Sequence, residues 1–179
     1  MANLPVPNPR TAVAGEFETA AFMNMFRDAV NFLTNPPMAT LVQATATAST
    51  SGIWIALGMD TTTTDTYGGH SNTTNNSRYT AQVAGWYEVS GTVAWPINSA
   101  GARGVRIQKN GATIPTGAAA FTGTTNGDVY AIATPAYQVQ LNVGDYVEIW
   151  GFQSSGGALS TNVAAADVRS SMNVRWVHA

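Results

Sequence analysis

From Gly85 to Trp95 the chain alternates Tyr87, Val89, Gly91, Val93 and Trp95 against Trp86, Glu88, Ser90, Thr92 and Ala94. Successive side chains of a strand point to opposite faces, so this run predicts a strand with one apolar face and one mostly polar face. Gly85 opens it, and Pro96, with no N–H for a sheet ladder, closes it. Similar runs lie on either side. Thr40 to Thr47 and Arg78 to Val83 are candidate strands, and Gly52 to Gly58 sets Ile53, Ile55 and Leu57 against Trp54 and Ala56. Ala102 to Lys109 alternates Val105 and Ile107 with Arg106 and Gln108, and Asn110-Gly111 predicts a hairpin turn. Tyr137, Val139, Leu141 and Val143 alternate with Gln138, Gln140 and Asn142. After the turn at Gly144-Asp145, Tyr146 to Phe152 is apolar on both faces, with Val147 and Ile149 on one and Tyr146 and Trp150 on the other. Met172, Val174 and Trp176 mark a last strand. Many short strands broken by turn signals predict an all-β sandwich or barrel.

The helical period appears once, between residues 16 and 37. Phe22, Phe26, Ala29 and Leu33 recur at spacing 4-3-4, and Met25 and Phe32 widen the stripe. Thr19 is a candidate N-cap, Glu16 and Glu18 sit near the positive end of the helix dipole, and Pro36-Pro37 stop the helix. One helix of about four turns is marginal alone in water. Its stripe therefore packs either on the β domain or on copies of itself, as a short coiled coil. Ahead of it, residues 1–15 alternate Pro5, Pro7 and Pro9, which forces extended backbone. This arm is either a loose terminus or an anchoring arm whose contact residues are Leu4, Pro5, Val6, Pro7, Pro9 and Arg10. The expected organisation is thus an arm over 1–15, a helix with its proline stop over 16–37, and a β domain over 38–179. Residues 59–77 read as a long polar loop, and 117–127 as a second, small-residue loop.

Charged residues are 10% of the chain and the formal net charge is −2. That gives little attraction for nucleic acid or an anionic membrane, and little repulsion against self-association. No cysteine is present, so neither a disulfide framework nor a thiolate metal site exists. No secretory signal and no 18-residue apolar span are legible, so membrane insertion is not expected. The second apolar face of Tyr146 to Phe152 needs a cover, and a neighbouring subunit is the simplest one.

Four stretches carry a resemblance. RYTAQVAGWYEVSGTVAW, ARGVRIQKNG, VQLNVGDYVEIW and the final SMNVRWV resemble the jelly roll shared by tumour necrosis factor and the globular head of the complement recognition component. The matching residues are Gly85, Tyr87, Lys109, Asn110, Gly111, Leu141, Gly144 and Asp145, within a match over roughly residues 40–179. The resemblance implies a jelly-roll sandwich of about 8–10 antiparallel strands in a tight homotrimer. It would place Tyr87, Trp95, Tyr146 and Trp150 toward the trimer axis. Such motifs mark a fold rather than an activity. The whole chain, from the proline arm through FETAAFMNMFRDAVNFLTNPP and DTYGGHSNTTNNSRYT, also resembles virion proteins of tailed actinobacterial phages, of minor tail, fibre or head-decoration type. This implies a structural role in a virion, with capsid or tail proteins as partners.

Catalytic and metal chemistry find little support. His70 and His178 are the two histidines and match no paired zinc spacing. There is no serine elbow and no phosphate-cradling loop around the single lysine, Lys109. Asp60, Asp65, Tyr67 and His70 could form a calcium or sugar site, but carboxylates capping their own turns explain them more simply. No cofactor is expected. The sequence reading is a non-enzymatic, trimeric decoration or fibre head of a virion. The alternative is a tail-tip protein that recognises a host surface glycan through loops 59–77 and 117–127. An enzyme acting on cell-wall polymer lacks a catalytic constellation.

Overall fold

The computed structural model describes residues 11, 13–15, 19–115, 117–123 and 127–179. The helical stripe forms α1, Ala20–Thr34. Thr19 caps it from an extended backbone, its Oγ1 accepting the Phe22 N–H at 3.2 Å. Pro36 and Pro37 then end the helical path and feed the chain into the first sheet.

Among the described residues the strands in chain order are β1 Met38–Val42, β2 Ala48–Ser49, β3 Trp54–Ala56, β4 Thr61–Asp65, β5 Arg78–Thr80, β6 Gly85–Trp95 and β7 Arg103–Lys109. The remainder are β8 Ala112–Thr113, β9 Ala119–Thr122, β10 Tyr130–Ala133, β11 Tyr137–Leu141, β12 Tyr146–Gln153, β13 Leu159–Ser160 and β14 Ser171–His178. They build two antiparallel sheets. The first has the order β10-β6-β14-β1-β4, with β11 also beside β6. The second has the order β3-β12-β7-β8, with β5 beside β12 and β9 beside β7. β2 and β13 pair separately. The result is the jelly-roll sandwich expected of an all-β chain with this alternation.

The core lies between the sheets. Leu41, Tyr87, Val89, Val93, Trp95, Met172 and Val174 enter from the first sheet; Val105, Ile107, Val147 and Ile149 enter from the second. β6 shows the predicted alternation, its odd positions buried and Glu88 exposed. β12 likewise buries Val147 and Ile149 on one side and leaves Tyr146 and Trp150 half-covered on the other.

Some elements depart from the sequence expectation. The first strand begins at Met38 and ends at Val42, because residues 39–42 pair with both β14 and β4 and the chain then leaves the sheet. The start of the expected polar loop is a strand: Thr61–Asp65 pairs with β1 at the sheet edge. Its side chains show no period because neither face is fully buried. β9 and β10, rich in alanine, are also paired strands that carry little hydrophobic signal.

The helix seam is corrected in part. Phe32 is the buried residue of α1; its ring meets Trp176 edge-on at 4.8 Å and Tyr67 at 6.2 Å, closing one end of the sandwich. Phe22, Met25 and Ala29 are half-buried on the same stripe, at spacing 3-4-3 with Phe32. Phe26 and Leu33, expected in the seam with Phe22 and Ala29, are exposed instead. Docking through Phe32 rotates the inward stripe, so the 4-3-4 set is divided between two faces.

Candidate functional site

The candidate site is a surface, the outer face of the second sheet. β12 sends Tyr146, Glu148, Trp150 and Phe152 outward at every second position. Register sets Phe152 opposite Trp54 of β3 and Gly104 of β7, and Gly104 opposite Phe121 of β9. The missing side chain at Gly104 makes room for the Phe121 ring, whose Cε1 would lie 2.7 Å from a Cβ there. Three rings then meet: Trp54 to Phe152 at 5.2 Å, Trp54 to Phe121 at 5.6 Å, and Phe121 to Phe152 at 6.1 Å between centroids. Phe121 remains 61% exposed.

Two arginines of the same chain cover the rest. Arg106 lies opposite Trp150 in the ladder, its guanidinium 4.1 Å from the Trp54 ring centre and 5.6 Å from that of Trp150. Burial lowers the Arg106 pKa from its ordinary value. Arg78 stacks on Tyr146 at 4.0 Å. Between them the nearly buried Glu148 carboxylate accepts from Ser77 Oγ at 2.7 Å, Arg78 Nε at 3.2 Å and Trp150 Nε1 at 3.1 Å. Tyr146 and Trp150 are therefore half-buried and partly shielded by their own chain.

Tyr87 and Trp95, expected beside them at a trimer axis, are corrected. Both are fully buried, on the inward face of the first sheet. The Tyr87 hydroxyl donates to the Val83 carbonyl at 2.6 Å, and burial pushes its phenol up. The apolar parity of β6 is its core parity, so Tyr87 and Trp95 cannot also face a neighbour. Trp54, Phe121, Arg106 and Arg78 are the surface residues that sequence reasoning missed. Pairing the outward positions of β3, β5, β7, β9 and β12 brings them together.

The sandwich is similar in fold to murine APRIL. Its crystal structure at pH 5.0 superposes with a TM-score of 0.57 at 10% identity, over 78% of this chain and 98% of that one. The murine APRIL structure at pH 8.5 gives 0.54 at 11% identity over the same shares. No family model matches the chain, and no curated protein does. At this identity the likeness shows the tumour-necrosis-factor-like jelly roll alone.

The anchor candidates Leu4, Pro5, Val6, Pro7, Pro9 and Arg10 lie outside the described residues. The loop that follows β4 is cinched by its own side chains. The Asp65 carboxylate accepts N–H groups of His70 at 2.9 Å, Gly69 at 3.1 Å and Tyr67 at 3.3 Å. The His70 ring nitrogens lie 2.7 Å from the carbonyl oxygens of Arg78 and Met59, tying the loop to both of its flanks. Asp60 receives the Ala44 N–H. Burial raises its carboxyl pKa, but bonds from Thr45 and Ala44 outweigh that and hold it below the usual value. Beside it lies a cleft of about 480 Å³ lined by Thr45, Thr47, Asp60, Asn76 and Ser77. Among the described residues, no group of three or more histidines and carboxylates is placed to hold a metal, and no helix is long and apolar enough to cross a membrane.

Proposed function

We propose that this chain is a non-enzymatic structural protein of a phage virion. It is a homotrimeric jelly-roll head, attached to capsid or tail proteins through residues 1–15 and displayed outward. It assembles in the host cytoplasm and resides in the particle. The observation that carries the reading is the aromatic outer face of the second sheet, on a chain with so little charge to keep copies apart. The resemblance to tumour necrosis factor implies trimers, and the resemblance to actinobacterial phage proteins implies the particle. Tyr146 and Trp150 are the interface residues in this reading.

Light scattering should give three times the 18.7 kDa chain mass, and a monomer at micromolar concentration would overturn the trimer. Trp150→Ala should weaken the trimer tenfold or more while leaving the sandwich folded; an unchanged dissociation constant would move the interface elsewhere. Deleting residues 1–15 should leave trimers that no longer enter particles, as read by labelled cryo-electron microscopy of virions. Truncated protein found on particles would remove the arm as anchor.

The cleft beside Asp60 favours a second reading. Its hydroxyl, amide and carboxylate lining suits the hydroxyls of a sugar, as a tail-tip protein gripping a host surface glycan would require. A handful of copies per virion, together with glycan binding lost in Asp60→Ala, would favour it over decoration.

A further inference from the structure

Helix α1 has two apolar stripes, and the sandwich uses one. Phe22, Met25, Ala29 and Phe32 form the first, which meets the sandwich at Phe32. Met23, Phe26, Val30 and Leu33 form a second, roughly 100° round the helix. These four are 51%, 57%, 42% and 72% exposed. The remaining third of the surface is polar: Asn24, Asp28 and Asn31, with Arg27 bound to Asp28 at 2.9 Å.

The second stripe has the spacing 3-4-3, which is the a-d repeat of a helix that packs on a copy of itself. A sandwich-docking helix needs one stripe, and a solvent-facing helix needs none. α1 leads through Pro36-Pro37 into β1 and is pinned at Phe32, so its open stripe begins beside the head. The exposed surface of the four residues is roughly 400 Å² per helix. That is about half of the ~800 Å² that a standard interface takes from each partner. The stripe is thus too small to assemble the chain alone and large enough to reinforce an assembly made by the heads.

We propose that the open stripe of α1 closes on the same stripe of the other copies in the assembly, as a short parallel coiled coil beside the head. This rests on the trimer proposed above. Met23 and Val30 take the a positions and Phe26 and Leu33 the d positions. Two heptads are too few to choose the number of strands, so the heads set it. Burying the stripe also steadies a 15-residue helix that its own chain covers on one side only.

The chain has no cysteine, so a single introduced thiol reports its own neighbours. Leu33→Cys and Phe26→Cys replace exposed residues and should leave the head folded. Under mild oxidation of the full-length protein, each should give a covalent dimer as the main product on a denaturing gel. Asn31→Cys, on the polar face of the same turn, should give only a trace. Light scattering is run on the same samples. A trimer mass with no dimer from either Leu33→Cys or Phe26→Cys overturns the coiled coil and leaves the trimer standing. Equal cross-linking at Asn31 and Leu33 means random collision and also overturns it. A monomer mass overturns the trimer itself, and the coiled coil with it.

Discussion

Gly85 shows how little freedom single positions have at the end of the sandwich where the helix docks. It opens β6 at φ +150°, and a Cβ there would sit 2.6 Å from the His178 carbonyl and against the Trp176 indole nitrogen. Gly85→Ala should therefore combine backbone strain with a clash and cost about 3 kcal/mol, read by urea denaturation of the full chain. Asp145 is a second such position. Its carboxylate accepts the Asn142 N–H at 2.9 Å, the Asn110 amide at 2.8 Å and the Lys109 ammonium at 3.0 Å. These bonds depress its pKa from 3.8 to about 2. A carboxyl depressed on folding stabilises the fold at pH above its unfolded value, and that contribution drains away as pH falls through the folded value. Stability should thus drop between about pH 4 and pH 2, by about 1 kcal/mol after allowance for solvent screening. Asp145→Asn should flatten that part of the curve in an acid titration followed by fluorescence.

The strands and the helix differ in how much of them the sequence carried. β6 and β11 were legible because one face is buried and the other is not, which writes a period of two into the residues, and β7 and β12 because their core-facing positions are apolar and their outward ones aromatic or polar. β4 was not: TTTTD has no apolar parity, and the segment is a strand because β1 offers it a ladder. The jelly roll itself was legible from motifs such as Gly85-x-Tyr87 and Leu141-x-x-Gly144-Asp145. The candidate surface was half legible. Parity put Tyr146 and Trp150 outward, but only the register between strands brings Trp54, Phe121 and Arg106 to them, and register between distant segments is not written in either one. The helix was read with the right residues and the wrong grouping, because Phe22 to Leu33 is apolar over more than one stripe. The two stripes should respond differently to truncation. Phe32→Ala removes the ring between Trp176 and Tyr67 and should cost about 3 kcal/mol. Phe26→Ala, on the open stripe, should leave the thermal midpoint of dilute, unassembled protein within about a degree of wild type.

At the scale of the whole molecule, low charge sets the behaviour. With 8 basic and 10 acidic residues in 179, the trimer proposed above would run on apolar contact and shape rather than on steering. The dissociation constant of the oligomer should therefore change less than threefold between low and near-molar salt, measured by sedimentation. A steep salt dependence would instead point to Arg78, Arg106 and Glu148 exchanging partners between copies. The two sheets also give the molecule distinct ends. Met38 lies opposite Arg175, and Gly85 opposite Leu141, so the start of β1, the end of β14 and the docked helix share one end. The turns at 96–102 and 154–158 meet at the other, where Ala102 and Ser154 bond to each other twice.

That division has a practical side. A peptide tag joined after Ala179 would start on the same side as the helix, crowded by whatever the helix touches. An epitope spliced between Ser155 and Gly157 would sit at the far tip, with open water around it. On the particle proposed above, an antibody against it should label the outside without prying any copy loose.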